Sequence, residues 1–195
     1  MDSVTINRNS TELLEHLRQL IQSCIGGNRF SQNRLYDQFA PKMLSVCMRY
    51  GKNREEAEEI MQEGFVQVFK SLHNFKYVGS FEGWIRKIMM YCAIQHYRAN
   101  PKMYLVVDIE NVTEQQICKE DILSRLQKKE LLEMVQALSP AYRIVFDLYV
   151  FEGMKHREIA QLLGISEGTS KSNFFDAKKI LQKAIANRLK VAENY

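Results

Sequence analysis

Chain breakers are scarce here: three prolines and nine glycines in 195 residues. Sandwiches and barrels need turn chemistry every few residues, and no alternating apolar run stands out, so an all-β fold is excluded. The four cysteines (Cys24, Cys47, Cys92 and Cys118) lie far apart, with no CxxC and no histidine at ligand spacing. That excludes a zinc module or a disulfide scaffold and predicts reduced thiols in a cytoplasmic protein. No apolar run approaches the roughly 20 residues of a membrane span and no signal-peptide core is present, so no membrane insertion is expected. His16, His73, His96 and His156 are dispersed, and neither a GxSxG motif nor a phosphate-binding glycine loop occurs. The glutamates at 55, 56, 58, 59 and 63 sit on one helix, a pattern of a solvated or partner-binding face rather than of an acid–base pair. The expectation is a non-catalytic protein with no metal and no cofactor.

What remains is helical periodicity. Residues 1–10 are polar and read as loose. Leu13, Leu14, Leu17, Leu20, Ile21 and Ile25 then mark one helix face, closed by Gly26-Gly27-Asn28. Leu35, Phe39, Met43, Val46 and Cys47 form a second stripe, with Pro41 predicting a kink or restart. Asn53 is placed to cap a third helix, whose inner face is Ala57, Ile60, Met61, Gly64, Phe65, Val68, Phe69 and Leu72. A loop, HNFKYVGS, leads into a fourth helix with Phe81, Trp84, Ile85, Ile88, Met89 and Ile94. Residues 101–121 lack periodicity and carry Asp108, Glu110, Glu114, Glu120 and Asp121, which reads as an acidic flexible linker too long for an ordinary loop. A last helical block, 122–195, restarts at Ser139-Pro140, a cap followed by proline at the first helical position. The fold class is therefore all-α: two small helical domains, 11–100 and 122–195, on a linker.

Residues 155–181, KHREIAQLLGISEGTSKSNFFDAKKIL, have the grammar of a helix-turn-helix. A short helix with Ile159, Ala160, Leu162 and Leu163 ends at Gly164, where positive φ is cheap for glycine. Ile165 plugs the angle between the helices and Ser166 caps the second. Ser170, Phe174, Ala177, Leu181 and Ala184 are its inner stripe; Lys171, Ser172, Asn173, Phe175 and Lys178 point elsewhere. Six cations against two acids over 166–190 suit phosphate, and short polar side chains suit base edges. A net charge of +4 agrees with a nucleic-acid partner without demanding one.

A second nucleic-acid signal lies at 75–98, where Phe75, Tyr77, Phe81, Trp84, Tyr91 and Tyr97 are interleaved with Lys76, Arg86, Lys87 and Arg98. Aromatics stack on unpaired bases while cations track the backbone, as single strands require. For Phe81 and Trp84 the three-residue step is equally the spacing of core residues. Lys76 and Tyr77, in a loop, are the better contact candidates.

YDQFAPKML, EEAEEIMQEGFVQVF, SFEGWIRKIMMYCAIQHYR and ALSPAYRIVFDLYVFEGMKHREIAQLLGISEGTSKS, in that order, resemble the extracytoplasmic-function sigma factors, two-domain promoter-recognition subunits of bacterial RNA polymerase. The resemblance implies sigma domain two, then a linker in the channel that nascent RNA will occupy, then sigma domain four. It implies polymerase docking through Glu58, Glu59, Met61, Gln62, Glu63 and Phe65 onto the clamp helices of the largest subunit. It implies capture and opening of the minus-ten element by Lys76, Tyr77, Ser80, Phe81, Trp84, Lys87, Gln95 and Arg98. Reading of the duplex minus-thirty-five element falls to Arg157, Thr169, Lys171, Ser172, Asn173, Phe175 and Lys178. Core polymerase with its flap, promoter DNA and an anti-sigma factor are the implied partners. Three features depart from the family pattern: Ser170 where an apolar residue is usual, Asn173 and Asp176 where arginines are frequent, and Gln95 in place of an aspartate. The rival is a stand-alone helix-turn-helix regulator with an N-terminal sensing or dimerisation domain, which predicts operator binding without polymerase.

Overall fold

The computed structural model describes residues 3–99 and 128–192, with side chains for 14–99 and 128–190. Among the described residues every regular element is helical. The order is α1 (Ser3–Ile25), α2 (Arg29–Tyr50), α3 (Arg54–Ser71), a 3-10 turn (Leu72–Asn74), α4 (Phe81–Ala99), α5 (Lys128–Gln136), α6 (Pro140–Val150), α7 (His156–Leu163) and α8 (Glu167–Ala192). The acidic linker at 101–121 lies outside the described residues.

Local signals set most boundaries. Asn28 and Asn53 each accept a hydrogen bond three residues on, from the backbone N–H of Ser31 and of Glu56, both at 3.0 Å. Pro140 occupies the first turn of α6, but the Ser139 side chain makes no cap bond; its carbonyl accepts from the Arg143 N–H instead. Two expectations need correcting. α1 starts at Ser3, so the stretch read as loose is largely helical, and α2 runs through Pro41 without a restart. Phe39 and Met43, buried on either side of Pro41, hold the helix to the core and offset a proline cost of about 3 kcal/mol.

α2, α3 and α4 pack on one another, with α1 laid across α2 and the 3-10 turn. α3 meets α4 at Gly64, where an added Cβ would stand 2.2 Å from the Met89 Sδ. An alanine there would require the buried Met89 side chain to shift. Cys24, Cys47 and Cys92 are free and buried, and burial pushes the Cys47 thiol up to about 12 and the Cys92 thiol to about 11. Both stay protonated and behave as small apolar side chains.

In the C-terminal half α8 lies against α6 and α7, with α5 alongside. Leu138, Tyr142, Ala177 and Leu181 form a small core of their own. Ile144, Val145, Leu148, Ile159 and Leu163, by contrast, join the core of the N-terminal helices. α5 and α6 sit directly on α2. Two helical units are present, and they are closed on each other.

Candidate nucleic-acid interface

The turn between α7 and α8 forms from short-range chemistry. Gly164 takes φ 71° and ψ 32°, and the Ile165 N–H reaches back to the Ala160 carbonyl at 3.0 Å. Ser166 Oγ accepts from the Thr169 N–H at 2.9 Å, capping α8, and shares a 2.8 Å hydroxyl contact with Thr169 Oγ1. Ser170, the departure from an apolar pattern, is wholly buried with its Oγ 3.0 Å from His156 Nδ1. A polar side chain is tolerated in that stripe because α7 supplies its partner. Phe174 packs beside it against Tyr149, with ring centroids 4.4 Å apart.

The outer face of α8 exposes Thr169, Lys171, Ser172, Phe175 and Lys178, and Arg157 is exposed on α7. Lys171 pairs with Glu167 at 2.7 Å; that hydrogen bond and charge hold the Glu167 carboxyl below its usual range. Ser172 Oγ donates to the Thr169 carbonyl at 3.1 Å. Asn173 is only half exposed and Asp176 likewise, at the margin of the face.

The loop before α4 folds around an aromatic cluster. Phe75, Phe81 and Trp84 pack together, Phe81 stacked on Trp84 at 5.6 Å and edge-on to Phe39 at 5.4 Å. Phe81 is thus a core residue, and Trp84 is half-buried. Ser80 Oγ accepts from the Gly83 N–H at 3.0 Å, fixing the start of α4. Tyr77 adopts φ 57°, unusual for a residue with a side chain, and Gly79 adopts φ 77°. The two left-handed positions turn the loop outward, leaving Lys76 and Tyr77 exposed.

Behind Tyr77 opens a cavity of about 580 Å³, walled by Phe39, Phe75 and Phe81 on one side and by Leu14, Leu17 and Arg18 on the other. Its volume is in the range of small-molecule sites. α1 fixes Tyr77 from across the cavity: Gln22 Nε2 donates to the Tyr77 hydroxyl at 3.1 Å, and the Arg18 guanidinium lies 4.9 Å from the ring centre. No sequence signal marked Arg18 or Gln22, since a polar residue beside an apolar helix stripe reads as ordinary surface. Lys87, Gln95 and Arg98 lie along α4, all exposed, and Gln95 lines a shallow groove with Glu63, Val66 and Tyr91.

On α3 the carboxylates face outward, except Glu56, which turns in to accept from the Lys52 N–H at 2.6 Å and meets His96 Nε2 at 3.3 Å. Glu59, Gln62 and Glu63 are exposed, and Glu58 is half-exposed with Arg54 at 2.7 Å. Met61 and Phe65 are in the core, Phe65 against Tyr36 at 4.6 Å. The described residues contain no cluster of three potential metal ligands, and no described helix is long and apolar enough to cross a membrane.

Residues 35–102 match the family model for sigma-70 region 2, and residues 128–181 match that for sigma-70, region 4. The ECF RNA polymerase sigma factor SigE of Mycolicibacterium smegmatis is 28% identical over 164 residues, 80% of this chain and 62% of that protein. The RNA polymerase sigma-H factor of Pseudomonas aeruginosa is 25% identical over 189 residues, 91% of this chain and 98% of that protein. Among solved structures, the sigma factor RpoE of Bartonella quintana, crystallised with the anti-sigma factor NepR, aligns over 79% of this chain and 96% of its own at 15% identity, with a TM-score of 0.47. The region 2 match covers α2 from residue 35 through α4, with the Phe39, Phe75 and Phe81 wall of the cavity, and the region 4 match covers the helix-turn-helix. The chain belongs to the sigma-70 family and is an RNA polymerase sigma factor of the ECF group.

Proposed function

We propose that this sigma factor binds core RNA polymerase through the outward carboxylate face of α3 and reads promoter DNA with both helical units, polymerase alone doing the chemistry. Glu58, Glu59, Gln62 and Glu63 present the acidic surface that suits a basic coiled-coil partner, while Met61 and Phe65 set its position from the core. The cavity behind Tyr77 accepts a base extruded from the non-template strand of the minus-ten element. Extrusion costs a few kcal/mol of stacking, offset by a snug pocket and by Lys76 and Lys87 nearby. Phe81, Trp84 and Ser80 shape the pocket and the start of α4, and Gln95 and Arg98 continue the strand's path. Lys171, Ser172, Asn173, Phe175 and Lys178 face the minus-thirty-five duplex, with Arg157 and Thr169 at the entry to the groove. The factor acts in the cytoplasm, and an anti-sigma protein that covers one or both units is its regulator. The linker at 101–121 joins the boundaries drawn at 100 and 122.

The observation that carries this reading is the pairing, on one chain, of an aromatic cavity beside a cationic helix with a capped helix-turn-helix. The test is co-purification with core polymerase followed by runoff transcription. Stoichiometric association and new promoter-dependent transcripts are expected. Tight duplex binding with no polymerase association would instead promote the stand-alone regulator.

A further inference from the structure

α8 carries two acids among its 26 residues, Glu167 and Asp176. The fold accounts for Glu167. It stands in the first turn, where a carboxylate suits the positive end of the helix dipole, and pairs with Lys171 at 2.7 Å. Nothing in the fold accounts for Asp176. It lies in the helix interior, where aspartate is among the poorer helix formers, and it is half exposed. Among the described residues its carboxylate takes part in no ion pair and no hydrogen bond, although Lys179 stands three residues on. Thr169 and Ser172 precede it on the same stripe, both short and exposed. Their hydroxyls are engaged locally: Thr169 Oγ1 lies 2.8 Å from Ser166 Oγ, and Ser172 Oγ donates to the Thr169 carbonyl at 3.1 Å. The first arginine of α8 is Arg188, bonded to Glu130 at 2.9 Å, so the outer face at 169–179 has no guanidinium with which to grip guanine.

We propose that Asp176 is a base-reading residue of α8, selecting a cytosine in the minus-thirty-five duplex by accepting a hydrogen bond from its N4 amine. The inference rests on the promoter-binding reading above and deepens it by naming one base that the helix demands. An ionised carboxylate can only accept. In the major groove guanine presents N7 and O6, both acceptors, and thymine presents O4 beside a methyl group. Neither has a proton to give. Adenine offers its N6 amine, but the N7 acceptor beside it opposes the second carboxylate oxygen. Cytosine offers the N4 amine with no acceptor next to it on that edge. A phosphate is excluded more strongly still, since both groups are anions.

The layout of α8 permits an acid in this place. At about 100° per residue, Lys171 and Lys178 project roughly 150° around the helix from Asp176. They supply attraction to phosphate from the opposite flank, independent of sequence. The short side chains of Thr169 and Ser172 let the backbone come close to the groove floor, as a side chain no longer than aspartate requires. Asp176 then works mainly by rejection. A wrong base leaves its carboxylate stripped of water and facing acceptors, and only cytosine restores the lost hydrogen bond.

The test uses holoenzyme reconstituted from the full chain and core polymerase, with a library of duplexes randomised over a promoter-length stretch. Wild type, Asp176→Asn and Asp176→Ala are each taken through selection, and the enriched motifs are compared position by position. The wild-type upstream motif should contain one fixed cytosine. Asp176→Asn should change that position alone to adenine, because an amide matches adenine N6 and N7 together, and Asp176→Ala should leave it unselective. In the selected duplex, pyrimidin-2-one in place of that cytosine removes only the N4 amine. It should weaken wild-type binding about tenfold and leave Asp176→Ala binding unchanged. An Asp176→Asn motif identical to that of wild type would overturn the proposal. So would variants that bind every sequence more tightly by one common factor, which would place Asp176 beside a phosphate. A wild-type holoenzyme that enriches no upstream motif at all would overturn the duplex reading itself, a result distinct from a motif that survives the substitution.

Discussion

Tyr77 shows how a single residue depends on a distant one. Its backbone sits in the left-handed region, where side chains are disfavoured by about 1 kcal/mol or more. Gln22 and Arg18, more than fifty positions earlier, hold the ring in place. Gln22→Ala combined with Arg18→Ala should therefore weaken binding of a minus-ten single strand several-fold while leaving thermal stability within about 0.5 kcal/mol, as for exposed sites. Fluorescence anisotropy and calorimetry on the same preparation check both halves. Gly64 is the opposite case, a residue whose role is only to be small. Gly64→Ala pushes a methyl into Met89 and should destabilise the fold by about 1–3 kcal/mol, seen as a lower midpoint in urea. The glycine is readable as part of an inner helix face, but the approach of Met89 is not, because that distance is set by how two helices cross.

At the scale of elements, the helix-turn-helix and the acidic helix should be separable. Glu59→Lys with Glu63→Lys reverses charge on the exposed face of α3 and should reduce polymerase association without touching duplex binding. Lys171→Ala with Asn173→Ala should do the reverse, lowering promoter affinity about tenfold or more while polymerase still co-purifies. Equal losses in both assays for both variants would show a misplaced map. The elements most legible in the sequence are those fixed within four residues: the Asn53 cap, the left-handed Gly164 and the Ser166 cap each follow from one local hydrogen bond or one dihedral. Less legible were Pro41 and Ser139. Pro41 fails to interrupt α2 because Phe39 and Met43 anchor the helix from both sides, and the Ser139 side chain makes no cap bond. Met61, Phe65 and Phe81 carried both a core and a contact reading, and burial resolves where they sit.

For the whole molecule the informative group is Asp147. Burial pushes its carboxyl from an ordinary value of 3.8 up to about 7, with Arg49 and Arg143 pulling it back and Glu152 adding to the rise. Folded, it binds a proton below about pH 7; unfolded, it does so only near its ordinary value of 3.8. Between those values the native state holds more protons than the unfolded chain, so stability falls as pH rises through this window and then levels off. Asp147→Asn, which keeps the shape and loses the titration, should flatten the change in melting temperature between pH 5 and pH 8. The Glu56–His96 pair and Arg86 also face the contact between the two units, so Glu56→Gln is the control that isolates the contribution of Asp147.

The amino-acid order by itself determined the all-helical class, two helical units in the order of the sigma regions, and the caps and turn of the reading helix. These depend on periodicity and on bonds closed within a single turn, and a chain carries that information locally. Tertiary structure alone decided that α1 would wall the aromatic cavity, that Ser170 would find His156, and that Glu152 would lie between Arg49 and Arg86. Those contacts join residues 14 to 103 positions apart. Their energies come from burial and charge at the seam between elements, which no window of sequence contains.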